Sequence, residues 1–414
     1  MPEIQTAKIG ETAVAPQAAN MGMSLSQDAW RRLRKNRVAM LSMGTLIAIC
    51  VLAFLTPLLP LQAPDHAQTE LQYEEPTATP LWVANRPLDT DEIARTPELV
   101  EKMEKELAAL KKRYEQAQTS QDELANVRKE LRRKEAEIQD TIHAPFRKLG
   151  YPPMGLLSRS MVRARFALFG NWSVNSLCGR DLLGRDLLSR LFWGARISLI
   201  VGLVATIVSL VIGVNYGAIS GYCGGWIDDA MMRFVDVLYS VPFIFVVIFL
   251  LTILGEESIA DELAYWGINR ITVFFLVVGA IYWLTMSRVV RGQVISLKHE
   301  LFVESARSLG ASQSRIVFLH LLPNLMSVVL VYLTLTIPRV MLFEAFLSFL
   351  GLGVEPPEVS WGLLANEGIK VISPVKIYWW LILFPSLALG TTLLALNFLG
   401  DGVRDALDPR LRDA

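Results

Sequence analysis

Apolar residues gather into six long runs, Val38–Pro60, Ile197–Ser220, Phe234–Leu254, Ile271–Val290, Leu325–Leu350 and Ile377–Gly400, separated by charged connectors. A helix rises about 1.5 Å per residue, so it needs roughly 20 apolar residues to cross ~30 Å of hydrocarbon. Each run predicts a membrane span, and six such runs with charged connectors are too many for a soluble core. The expected fold class is an all-α membrane protein with six transmembrane helices. The first run is long, starts far from Met1 and lacks a small-residue cleavage site, which predicts a retained signal-anchor.

Lysine and arginine near the span ends predict the orientation. The segment 1–37 ends in "RRLRKNR" (Arg31 to Arg37) and is expected in the cytoplasm. Six spans return the tail 401–414, with "RDALDPRLR", to the same side. The connector 291–324 carries Arg291, Lys298, Arg307 and Arg315, again on the inside, while the connector "GEESIADEL" after the third run is acidic and outside. Both termini are therefore expected in the cytoplasm.

Residues 61–196, between the first two runs, form a large outer segment. Its first part is rich in proline and polar residues. From Thr96-Pro97, an N-cap followed by proline at the first helical position, the pattern becomes helical. Met103, Leu107, Leu110, Tyr114 and Ala117 make one stripe; Leu124, Val127, Leu131, Ile138 and Ile142 make a second, ending before Pro145. Ser120 and Glu123 form a capping-box pattern between them. A coiled-coil hairpin over 97–143 is favoured over a single helix of about 70 Å. Its polar faces suit a solvated structural element or a docking arm for an outer partner. Leu187, Leu188 and Leu191 then read as an interfacial lead-in to the second span.

Composition narrows the chemistry. Forty basic residues balance forty acidic ones among 414, which points away from nucleic acid as a partner. Cys50, Cys178 and Cys223 are far apart, the four histidines lack ligand spacing, and no GxxxxGK[ST] loop occurs. No catalytic, cofactor or metal role is expected, so any ATP chemistry must come from another chain.

The mixed-polarity stretch "ESARSLGASQSRIVFLHLLPN" (Glu304 to Asn324) interrupts the fourth and fifth runs. It predicts a short helix from Glu304 to Leu309, a left-handed residue at Gly310, a second amphipathic turn over Arg315 to Leu322, and a proline stop. It resembles the EAA motif of bacterial ABC importer permeases: Glu304, Ala306, Gly310, Ile316, Leu322 and Pro323 match, and Ser305 departs by a small-for-small change. "CGRDLLGRDLLSRLFWGARISL" is similar to the segment before span two in peptide- and nickel-type permeases. There Gly179, Asp181, Gly184, Arg185 and Asp186 match as part of an outer rim over 179–196, and Arg180 replaces the usual Thr. "FEAFLSFLGLGVEPPEVSWG" and "NFLGDGVRDALDPR" are similar to later signatures of the same family, and "IPRVMLFEAFLSFLGLG" is similar to the C-type permease of oligopeptide importers. The resemblance covers 31–60 and 179–414 and leaves 61–178 unexplained.

The resemblance implies a type I ABC importer permease fold in the bacterial inner membrane, with the permease core over 197–400. The stretch containing Glu304 would be a coupling helix seated on a cytoplasmic ATPase. It further implies a second, B-type permease, two ATPase subunits and a periplasmic solute-binding protein as partners, beside the lipid bilayer. Oligopeptides are the expected cargo, with dipeptides or nickel chelates as the alternative; a membrane scaffold or sensor working through the outer hairpin is the rival of another class. Within the fifth run, Arg339 beside Pro338 is costly in lipid, ~2.5–3.5 kcal/mol at a helix centre, so it must face protein or water. It either lines the translocation pathway, with Glu344 nearby, or pairs with Glu344 or an acid of the partner.

Overall fold

The structure is a computed structural model that describes residues 25–407 except 80, 117–120, 176, 257–258, 260–262, 264–267, 269 and 375. Most of the acidic connector, Ala117 and Ser120 of the expected hairpin, and the end of the basic tail lie outside the described residues.

Among the described residues five helices are long and apolar enough to cross a membrane, and a bent pair, taken as one span, makes a sixth. Span one is Arg37–Leu55, started by the Asn36 side chain, which accepts from the amides of Val38 and Ala39. Span two runs Leu187–Cys223, ten residues earlier than its apolar run, because Asp186 caps it by accepting from the Ser189 amide at 2.8 Å. Leu187 is consequently buried, with Leu188 and Leu191 packed against the same cluster, which replaces the expected interfacial lead-in. Span four is Arg270–Leu297 and span six Trp380–Leu407.

Span three is not the single helix expected over Phe234–Leu254. It divides into Gly225–Ser240 and Phe243–Leu254, bent by 86°. Pro242 sits at the break. Having no N–H, and pushing Val241 into an extended conformation, it cannot continue the helix.

Spans two and four form the centre of the bundle. A Cβ on Gly213 would meet Met286 Cβ at 2.6 Å, and one on Gly279 the Ala205 carbonyl at 2.9 Å. Small residues let the two backbones approach until dispersion contacts replace lipid. Span one packs on span six, where Gly402 lies against Ala39. A ten-residue helix, Trp361–Lys370, too short to cross, is wedged between span two, span five (Gln313–Phe349) and span six.

At one end of the bundle the segment 56–186 forms its own small core around Ala63, Phe146, Leu149, Tyr151, Met154 and Val162, joined by Trp193 of span two. Strands Leu81–Ala84 and Trp172–Asn175 pair antiparallel there, Leu81 opposite Asn175. Two helices, Thr90–Gln116 and Gln121–Arg147, lie antiparallel, with ion pairs Glu106–Lys134 at 2.8 Å and Lys111–Glu135 at 3.1 Å. Val127, Leu131 and Ile138 are buried between them. The first begins at Thr90, not at Thr96-Pro97: Asp89 accepts from the Glu92 amide at 2.9 Å and starts the helix earlier, so Pro97 falls inside it. The second likewise runs through Pro145 to Arg147.

Candidate functional site

At the opposite end of the bundle, span four gives way to the short helix Leu301–Ser308. Its end is set by hydrogen bonding: the Gly310 amide donates to the Arg307 carbonyl and the Ala311 amide to the Ala306 carbonyl, both at 3.0 Å. This closure requires a left-handed residue, and Gly310 has φ +80°. A Cβ at Gly310 would meet nothing within 4 Å, so conformation alone demands glycine there.

Ser312 caps the next helix, accepting from the Arg315 amide. That helix does not stop at Pro323 as expected. It continues unbroken from Gln313 to Phe349 as span five. The turns Ile316–Leu321 widen into a π-helix, with the Leu322 amide donating to the Val317 carbonyl. Proline at position 323 cannot bond the carbonyl four residues back and would clash with it in a regular helix; the wider turn relieves the clash.

The element is amphipathic and firmly seated. Val303, Ile316 and Leu321 are at most 1 % exposed and pack on Val214, Ala218, Val290 and Val294 of spans two and four. Each such side chain contributes about 1.5–3 kcal/mol on burial, so the helix cannot swing as a loop would. Its outer face carries Glu304, Ser305 and Gly310 in solvent, with Leu301 79 % and Leu309 89 % exposed. Of the motif residues, Ala306 is buried, Leu322 half-buried and Pro323 exposed. The two exposed leucines are not motif positions, and nothing in the motif marks them as exposed.

Beneath it, Arg291 at the foot of span four forms a bidentate pair with Asp228, both contacts at 2.6 Å, and Asp228 also accepts from the Ser220 hydroxyl. The Lys298 ammonium donates to the Gly221 carbonyl at 3.0 Å. Span two, span four and the first half of span three are thereby tied at the base of the element.

The rim residues collect at the other end. Asp181 accepts from the Leu183 and Arg185 amides through one oxygen and from the Arg185 and Arg190 guanidiniums through the other, at 2.6–2.9 Å. Arg190, 1 % exposed, also grips Glu367 of the wedged helix; Arg185 reaches Asp65, and Arg180 reaches Glu74. Burial alone would lower the Arg185 pKa, but Asp181 and Glu367 raise it above the ordinary value. Gly179 and Gly184 have φ +77° and +69°, and a Cβ on Gly184 would strike the Gln68 carbonyl. Asp65, Glu74 and Glu367 could not be read from the motif, because each lies far from it in sequence.

In span five Arg339 is exposed and Glu344 is fully buried. They do not pair. Five residues at 100° each set them about 140° apart on the helix. Glu344 accepts instead from the Ser348 and Ser360 hydroxyls at 2.8 and 2.7 Å, and Ser360 in turn caps the wedged helix. The Tyr282 hydroxyl donates to the Arg339 carbonyl at 3.1 Å. Among the described residues no cluster of His, Cys, Asp and Glu could hold a metal ion.

Comparison with known proteins adds the following. A family model described as "Binding-protein-dependent transport system inner membrane component" matches residues 213–413, and one described as "N-terminal TM domain of oligopeptide transport permease C" matches 24–76. The dipeptide transport system permease protein of Bacillus subtilis is 44 % identical over 56 % of this chain and 68 % of its own. The oligopeptide transport system permease proteins of Haemophilus influenzae and Escherichia coli are each 46 % identical over 56 % of this chain, and over 70 % and 72 % of their own. A chain of the methionine transporter MetNI, solved in inward-facing conformations, aligns at TM-score 0.39 and 16 % identity, over 53 % of this chain and 96 % of that one.

Proposed function

The chain belongs to the binding-protein-dependent permease family of ABC importers, and from that membership we propose that it conducts peptides across the bacterial inner membrane together with a second, B-type permease. As in that family, ATP hydrolysis falls to separate ATPase subunits. The helix Leu301–Ser308 and its glycine closure are the contact they drive. One observation carries this reading: a stiff, buried-backed helix presents Glu304, Ser305, Leu301 and Leu309 to solvent at the foot of spans two and four. An exposed apolar tip on a rigid base suits insertion into a groove of another protein, and the base transmits the push.

Closure of two ATPase subunits would move this end of the bundle, and spans two to six would alternate between outward- and inward-open states. A solute-binding protein would deliver the peptide to the rim end. Arg339, exposed on span five, would line the pathway and attract peptide carboxylates, whereas the bonding of Glu344 supports an anchoring role. The relatives carry both dipeptides and oligopeptides by name, and the match to the N-terminal domain of oligopeptide permeases favours the longer cargo. Uptake of labelled dipeptides and longer peptides by cells with and without this chain is the test. Loss of oligopeptide uptake supports the reading, and loss of dipeptide uptake alone transfers it to the alternative. A membrane scaffold, by contrast, would not co-purify with two ATPases and another permease.

A further inference from the structure

Where the outer segment meets spans two and four, a cavity of about 170 Å3 is lined by Trp193 and Arg196 of span two, Phe275 of span four, Pro152 and Pro153, and Glu358 of the loop after span five. It is far larger than the ~10–15 Å3 needed by one water. Two opposite charges face it without forming an ion pair. Arg196 lies over the Trp193 ring at 4.8 Å and gives one N–H to the Ser158 hydroxyl at 2.8 Å, leaving other donors on its fork. Glu358 makes no side-chain hydrogen bond among the described residues. Burial pushes its carboxyl pKa up, opposed by Arg196. A carboxylate so placed gains from a cation that brings its own N–H donors.

Depth identifies the kind of ligand. Span two is 37 residues long, about 55 Å, and Arg196 lies only about 14 Å from its start. With ~30 Å of hydrocarbon, that places Trp193 and Arg196 at headgroup level, where tryptophan and arginine are favoured. Directly along the same face, at steps of three and four, Ile200, Leu203, Ile207 and Val211 are 43–55 % exposed and form an apolar track toward the other end.

We propose that this cavity holds the headgroup of an ammonium-bearing phospholipid, with phosphate on Arg196, ammonium on Glu358 and an acyl chain along Ile200–Val211. The Trp193 ring and the two prolines wall the headgroup, and the charge pattern selects a primary ammonium over a methylated one, which has no N–H to give Glu358. The inference depends on the membrane placement of span two and is independent of the cargo.

The test uses the full chain purified in mild detergent with its accompanying subunits, stripped of lipid and then supplied with phosphatidylethanolamine, phosphatidylcholine or phosphatidylglycerol of identical chains. Melting temperature and native mass spectrometry are the readouts. Phosphatidylethanolamine is expected to raise the melting temperature and remain bound, with phosphatidylcholine clearly weaker. E358Q should abolish that preference, and R196Q should remove the response to all three. Equal effects of the ethanolamine and choline lipids, or an E358Q protein that discriminates as the wild type does, would overturn the proposal. Displacement of bound lipid by a short peptide with free termini would also overturn it and assign the cavity to cargo. Should R196Q fail to fold, the E358Q comparison still decides, because Glu358 lies in a loop.

Discussion

Glu344 shows how a carboxyl is accommodated inside an apolar bundle: two hydroxyls converge on one of its oxygens, and one of those hydroxyls also caps the wedged helix. E344Q retains a carbonyl acceptor and is expected to melt close to wild type. E344A leaves Ser348 and Ser360 without their acceptor, and each stranded hydroxyl costs about 1–3 kcal/mol, so a clear fall in melting temperature is expected. Equal melting of the two variants would show that these bonds contribute little. At Gly310 the constraint is conformational. G310V forces a branched residue to φ +80° at a cost of roughly 1–2 kcal/mol. The bundle should fold, with ATP-driven uptake falling much more than expression or melting temperature. The role of glycine there was legible, since a left-handed closure has a recognisable sequence form. The exposure of Leu301 and Leu309 was not, because it depends on which face spans two and four leave uncovered.

Among elements, prolines separate what the sequence discloses from what it conceals. Pro242 breaks span three, but Pro97, Pro145, Pro323 and Pro338 all lie within helices or their first turns. A local rule that proline stops a helix cannot see an earlier cap at Asp89 or a π-turn before Pro323. The apolar runs located every span, whereas their ends shifted wherever a cap such as Asp186 extended a helix beyond the apolar residues. The rim motif was visible as a pattern, yet its meaning lies in Asp65, Glu74 and Glu367, which only folding brings to it. Breaking a buried pair strands the remaining charge at about 3–5 kcal/mol. R190M takes one of the two guanidiniums from Asp181, which keeps Arg185, and loosens Glu367, so it incurs part of that cost and is expected to lower the melting temperature more than a change at the half-exposed Glu74. The antiparallel helix pair is proposed as a docking arm. Its base packs through Ile93 and Phe146 into the small core of segment 56–186, so removing residues 97–143 should leave the bundle intact, and unchanged affinity for the solute-binding protein would refute the docking role.

For the whole molecule, the native cysteines report orientation. Cys223 is exposed at the turn that neighbours the Leu301–Ser308 helix, while Cys178 is buried, its thiol pushed up to about 12 by burial and the nearby Asp186. A membrane-impermeant maleimide should label Cys223 in inside-out vesicles and spare it in intact cells, and Cys178 should stay silent in both. Labelling of Cys223 from outside would invert the proposed topology. The most direct measurement of function is site-specific crosslinking from L309C in membranes carrying the complete transporter. Capture of an ATPase subunit, with a yield that changes when nucleotide is trapped, is the expected result. Failure to capture any ATP-hydrolysing chain from that position, in a transporter that still imports peptide, would contradict the role of this helix as the point of drive.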